Sequence, residues 1–189
     1  MDLKYFTQPT PNPNAVKFIL NVDVITKGRV SYSKAEDCHN NELGASLFAL
    51  KCIVQVHFFE NVITITQNGD MYWEELEDAV ISILQDGIDK HNPEFQVGED
   101  EDERRAKLPA EVRQIEEILD RTVRPSLQGD GGDLMVLGYD LNSKILKVMY
   151  EGACNSCASS TTGTLMAIKS TLQNEFDPDI EVAVIGEEV

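Results

Sequence analysis

The sequence predicts an α+β protein: two small α/β-sandwich domains, an N-terminal ββαββα unit and a C-terminal αββαβ unit, joined by an acidic linker. Three observations predict it. Strands of alternating apolar residues come in adjacent pairs, each pair followed by a helix-period stretch, in both halves of the chain. The composition breaks at residues 98–107, Gly-Glu-Asp-Glu-Asp-Glu-Arg-Arg-Ala-Lys, where apolar periodicity vanishes. A length of 189 residues suffices for two modest cores. The expected domains are therefore 1–97 and 108–189, with 98–107 a flexible linker whose like charges repel.

In the first half, strand signals lie at Val16–Val22 and Val30–Ser33, and a helical stretch lies near Asn41–Lys51. A strand pair, Ile53–Phe59 and Val62–Gln67, turns at Glu60-Asn61. Asn68-Gly69-Asp70 breaks the chain and offers a helix cap. The next helix sets Trp73, Leu76, Val80, Ile83 and Leu84 on one stripe and ends near Gly87–His91, before Pro93.

The second half opens with a helix from about Pro109, which suits a first helical turn. Val112, Ile115, Ile118 and Leu119 form its buried stripe, and Pro125 ends it. Gln128-Gly129-Asp130-Gly131-Gly132-Asp133 reads as a tight turn feeding a strand, Leu134–Tyr139. It has no Lys-Ser/Thr ending and opens no helix, so it is not a phosphate-cradling loop. Asp140–Ser143 leads to a second strand, Lys144–Tyr150. A helix then runs to about Phe176 with Leu165, Ile168 and Leu172 inward, and Asp177-Pro178-Asp179 turns into a last strand, Ile180–Ile185.

The net charge of −17 repels phosphate backbones, and no basic patch offsets it, so the expectation is no nucleic-acid partner. No run approaches the ~18 apolar residues a membrane span requires, so no membrane role is expected. Met1-Asp2-Leu3-Lys4-Tyr5-Phe6 lacks the basic, then apolar, pattern of a secretory signal and the Arg-rich composition of a transit peptide. The expected localisation is cytoplasmic, with an organelle matrix after removal of a targeting segment as the alternative.

Chemistry concentrates in Gly152-Ala153-Cys154-Asn155-Ser156-Cys157-Ala158-Ser159-Ser160, between a strand and a helix. In a reducing compartment this C-x-x-C pair reads as metal-binding or redox-active. No second pair stands nearby, and two thiolates fill half of a tetrahedral all-cysteine site or half the ligand set of a cubane cluster. Thiolates at the first turn of a helix gain from its unpaired N–H groups. From Leu141 to Asn174, three lysines (144, 147 and 169) stand against Glu151, a net of +2 that favours an anionic centre. Ser159, Ser160, Thr161, Thr162, Gly163 and Thr164 are poor helix formers, suited either to close dimer packing or to a frayed first turn. Three readings fit these residues: a thiol–disulfide oxidoreductase, a zinc-binding interaction module completed by a partner chain, and an iron–sulfur site bridging two chains.

Gly152-x-Cys154-x-x-Cys157-x-x-Ser160, continuing to Thr164-Leu165, joins the upstream Leu127-Gln128-x-Asp130-Gly131-Gly132-Asp133 and the αββαβ order. Together these resemble the NifU C-terminal (Nfu) family. Thr7-Gln8-x-Thr10-Pro11-Asn12-Pro13-Asn14, then Lys17-Phe18, Phe58-Phe59 and Ile63-Thr64, are similar to the N-terminal domain of the same proteins. The resemblance implies a scaffold or carrier, not an enzyme, that holds a [4Fe–4S] cluster between two protomers and passes it to apo-proteins. It implies Cys154 and Cys157 as ligands from each chain, a homodimer formed through the cluster, apo iron–sulfur clients and an upstream cluster-assembly scaffold as partners. The family's eukaryotic members carry an organelle-targeting extension, which the opening residues here do not resemble.

Cys38-His39 and Cys52 with His57 are weighed as a second metal site and set aside. Strict alternation puts Cys52 with Val54, Val56 and Phe58, and His57 with Gln55 on the opposite face. His91 ends a helix, where its positive form suits the dipole.

Overall fold

The structure is a computed structural model that describes residues 2–95, 101–154 and 158–186, the side chains at 101–103 and 158–161 excepted. The α+β class holds. The chain divides into two compact units, Met1–Gly98 and Glu99–Val189.

The first unit is a five-stranded antiparallel sheet with helices on one face. β1 (Tyr5–Pro9), β2 (Ala15–Leu20), β3 (Arg29–Tyr32), β4 (Ile53–Phe59) and β5 (Val62–Gln67) take the spatial order β1-β2-β5-β4-β3. Phe18, Val56, Phe58, Ile63 and Ile65 point to the helix side, where Leu43 and Leu47 of α1 (Glu42–Leu47) and Leu76, Val80 and Leu84 of α2 (Trp73–Gly87) meet them. The i, i+4, i+8 spacing of the α2 leucines and valine gives this helix its buried stripe. Trp73 sits at the margin of the core and donates its indole N–H to the Pro13 carbonyl at 2.9 Å.

Several local expectations change. β1 lacks the alternation that marks a strand, because it is an edge strand with one neighbour and mostly exposed side chains. Asn41, where the helical stretch was expected to begin, caps α1: its side chain accepts the Gly44 N–H at 2.9 Å. Asn68 and Asp70 form an Asx turn, Asp70 N–H to Asn68 Oδ1 at 3.0 Å, instead of capping α2, which starts after Tyr72. A bulge between Ile53 and Gln55 breaks the alternation in β4. It turns Val54 outward, 40% exposed, and brings Ile53 into the core beside Cys52.

In the second unit, β6 (Gly132–Asp140) and β7 (Ile145–Gly152) form an antiparallel hairpin, and β8 (Glu181–Val184) adds parallel to β7. Helix α6 (Ala158–Glu175) makes the crossover that a parallel pair requires. Leu134, Val136, Leu146, Val148 and Tyr150 pack against Ile168 and Leu172 of α6 and against Val112, Ile115 and Leu119 of α4 (Ala110–Thr122). Pro125 does not simply stop α4. The chain turns at Val123 into a short second helix, α5 (Arg124–Gly129), and Pro125 occupies its first turn. The acidic segment expected as a flexible linker carries helix α3 (Glu101–Ala106). Its Arg104 donates to Glu116 at 3.0 Å and its Arg105 forks onto Asp120, so carboxylates on α4 hold it as part of the second unit.

Candidate metal centre

The hairpin register builds one wall of the cysteine site. β6 and β7 pair Gly132 with Gly152 and Asp133 with Glu151, and the Ala153 N–H continues the ladder to the Gly131 carbonyl at 3.1 Å. Gly131 (φ 83°) and Gly152 (φ 61°) both lie in the left-handed region, where a side chain is costly. Gly131 reverses the chain out of α5, and Gly152 lifts it out of β7 toward Cys154.

Cys154 is packed into the end of the core, 4% exposed. It lies against Gly132: a Cβ there would stand 2.5 Å from the Cys154 Sγ, 2.6 Å from the Glu151 carbonyl and 2.9 Å from the Cys154 N–H nitrogen. Cys157, the other expected ligand, lies outside the described residues, as do Asn155 and Ser156. Tyr150 is buried beside Cys154, and its hydroxyl has no hydrogen-bond partner among the described residues. Burial first, then the negative charge of a Cys154 thiolate, pushes the Tyr150 phenol up to about 12, so it stays a neutral donor at any physiological pH.

Behind the two glycines stands a buried ionic network that sequence reading missed. Asp133 is fully buried; its Oδ1 accepts the Leu134 N–H at 2.7 Å and an Arg124 Nη1–H at 3.1 Å, and its Oδ2 accepts the Gln128 amide at 2.9 Å. Arg124 also donates through Nη2 to Glu116, itself buried in α4. Arg124 Nε lies 2.9 Å from Asp120 Oδ1 but off the hydrogen-bond axis, an ion contact only. One signal was present: Glu116, Asp120 and Arg124 recur every four residues, which aligns charges along one helical face. Breaking a buried pair costs about 3–5 kcal/mol, against roughly 0–1 kcal/mol for an exposed one. The network, more than any surface pair, therefore fixes the Gly131–Asp133 turn.

The electropositive surround that the lysine count suggested is largely cancelled. Lys144 binds Asp177 at 3.2 Å and Asp179 at 2.8 Å, and Lys169 binds Glu181 at 2.7 Å. These acids follow Asn174 in the chain, and the fold brings them back onto the lysines. On α6, Thr162 and Gly163 are exposed and Met166 is 67% exposed, so this stretch next to the cysteine loop is open.

A metal site at Cys38-His39 or at Cys52 with His57 gains no support. Burial, then Asp37 and Glu36, pushes the Cys38 thiol up to about 11, which keeps it protonated and a poor ligand. His39 and His91 line a cavity of about 610 Å³ between α1 and the end of α2. No group of three metal-ligating side chains converges among the described residues. His91 is not a dipole-stabilised cation: it stacks on Phe58, its Nε2–H donates to the Val24 carbonyl at 2.7 Å, and burial lowers its pKa.

Residues 5–91 match the family described as scaffold protein Nfu/NifU N terminal, and residues 115–183 match the NifU-like domain, so matched sequence spans both units. The chain belongs to the Nfu/NifU family. Similar Nfu/NifU relatives include the NFU1 iron-sulfur cluster scaffold homolog, mitochondrial, of Drosophila erecta, 30% identical over 93% of this chain and 62% of its own length. NifU-like protein 5, mitochondrial, of Arabidopsis thaliana is 28% identical over 89% of this chain and 61% of its own. The chain thus spans just over three fifths of these Nfu/NifU relatives. The solution structure of a NifU-like protein from Saccharomyces cerevisiae aligns with 47% of this chain and 80% of its own, at 16% identity and a TM-score of 0.42. No helix among the described residues is long and apolar enough to cross a membrane.

Proposed function

We propose that this Nfu/NifU chain is an iron–sulfur cluster scaffold or carrier that holds a [4Fe–4S] cluster between two protomers, through Cys154 and Cys157 of each, and passes it to apo-proteins. The observation that carries the reading is the Cys154 site itself: a cysteine at the exit of β7, set on side-chain-free glycines and backed by a buried ionic frame. Soft thiolate donors suit iron, and bare glycine backbone lets a bulky inorganic core approach closely. The open stretch of α6 around Met166 supports contact with a second copy beside the cluster. The names of the relatives support the same activity.

The cluster is cargo, and its transfer follows from ligand exchange. Two sulfurs per subunit leave the cluster at a seam, where an incoming thiolate of a client replaces one ligand at a time without unfolding either chain. Cys154 is packed against Gly132, so uptake includes a step that uncovers its sulfur. No substrate bond is made or broken, so the chain acts as a carrier and not an enzyme. Its partners are a second copy, apo iron–sulfur clients and an upstream assembly scaffold; nucleic acid and membranes are not among them. Any compartment that keeps thiols reduced, cytoplasm or organelle matrix, accommodates this chemistry.

Anaerobic reconstitution with iron and sulfide, followed by size exclusion and metal counting, tests the reading. A brown dimer with about four irons supports it. A colourless zinc dimer supports a zinc-binding interaction module instead, and a monomer that turns over disulfides supports a thiol–disulfide oxidoreductase.

A further inference from the structure

The ionic frame behind Cys154 reaches from the thiol's backbone platform to the segment that opens the second unit. Cys154 rests on Gly132, and Gly132 adjoins the fully buried Asp133. Arg124 and Gln128 on α5 grip both oxygens of Asp133, and Glu116 and Asp120 on α4 grip Arg124. Arg104 and Arg105 on α3 complete the frame, Arg104 on Glu116 and Arg105 on Asp120, with Arg105 also 3.8 Å from Glu116. In these contacts three carboxylates face three guanidiniums. Without α3, Arg124 is the one guanidinium of this frame left to the three carboxylates, and a buried arginine cannot fork onto all three equally.

We propose that Arg124 is a positioning residue for Cys154, acting through Asp133 and the Gly131–Gly132 turn, and that Arg104 and Arg105 of α3 hold Arg124 in its productive place. The proposal rests on the reading of Cys154 as a cluster ligand, but its central claim concerns the apo chain. The frame fixes where the platform stands, and the platform fixes which way the Cys154 sulfur faces. Lysine does not replace Arg124, because a single ammonium cannot make the directed fork to Glu116 and Asp133. The acidic segment before α4 is thus a working part of the cysteine site.

The test uses the full chain without metal. Alkylation of Cys154 by iodoacetamide is followed by tandem mass spectrometry, alongside hydrogen exchange of the amides at 165–175 in α6. The variants are Arg124→Met, Arg124→Lys and Arg105→Gln. Expected is a rise of about tenfold or more in Cys154 labelling for both Arg124 variants, because breaking a buried pair favours local opening. Arg105→Gln, at the half-buried end of the frame, should give a smaller rise, with α6 exchange unchanged in all three. Labelling that stays at the wild-type rate in folded variants overturns the proposal. So does labelling that rises only in step with α6 exchange, which reports general unfolding. Should Arg124→Met fail to fold, Arg105→Gln decides by the same two criteria. Iron and sulfide are then added to the wild-type chain. Failure to take up a cluster overturns the ligand reading alone and leaves the labelling result to judge the positioning role.

Discussion

Gly132 and Cys154 touch so closely that the glycine has no room for a methyl group: its Cβ would fall 2.5 Å from the sulfur. The sulfur is the movable end of a side chain, but the two other near atoms, at 2.6 and 2.9 Å, are backbone of the same turn. Gly132→Ala should therefore shift the whole Glu151–Cys154 segment. The expected loss is about 1–3 kcal/mol in the urea unfolding of the second unit, with weakened cluster retention. An alanine variant with wild-type stability and retention would mean that the turn yields freely.

Replacing Cys154 or Cys157 with Ser should abolish the iron–sulfur absorbance after reconstitution and the cluster-dependent dimer. Far-ultraviolet circular dichroism of the apo chain should stay the same. A serine variant that still carries a full cluster would remove that cysteine from the ligand set.

Tyr150→Phe should leave apo stability unchanged or raise it by up to about 1 kcal/mol, since it removes a buried hydroxyl with no partner among the described residues while keeping the ring. Thermal unfolding measures this. A loss greater than 1 kcal/mol would reveal a bond made by that hydroxyl.

His91 gives the first unit an acid sensitivity. Burial lowers its folded pKa below the ordinary histidine value of 6.5, so the unfolded chain binds the proton more readily. Its contribution is fully present above pH 6.5 and is lost as pH falls toward the folded value. Denaturant titrations between pH 7.5 and 5 should show a steeper decline for wild type than for His91→Gln. Parallel declines would assign the acid sensitivity elsewhere.

Cys38 should resist alkylation at neutral pH in the folded chain. Its rate should climb toward a midpoint near 11, because burial and the Asp37 and Glu36 carboxylates disfavour its thiolate. Rapid labelling at pH 7 would mean that the loop around it opens.

What the sequence revealed and what it hid divide along physical lines. The α2 stripe and the β6–β7 hairpin were legible because burial imposes a local period on apolar residues. The cysteine motif was legible because its chemistry needs fixed spacing. β1 was not, since an edge strand buries too little to leave an alternation. The bulge at Val54 was hidden because it changes phase without changing composition. Glu116 and Arg124 gave no sign of burial, and Asp133 read as part of a tight turn; only the folded chain reveals that each is buried with counter-ions. Residues 101–106 read as a repelling tether for the same reason: the carboxylates that Arg104 and Arg105 bind lie 12 and 15 positions further along the chain.

Strand β1 carries one more implication. It lies at the rim of the sheet, and Phe6 on it is 63% exposed. A rim of this kind is a template on which a second chain can lay down a strand, which leads to sticky, fibre-like stacks. The charge of −17 acts as a keep-apart device, and salt dulls it, since the Debye length shrinks to about 8 Å at 0.15 M. Concentrated salt should therefore make the protein clump through this rim, and Phe6→Lys should keep the solution clear by light scattering.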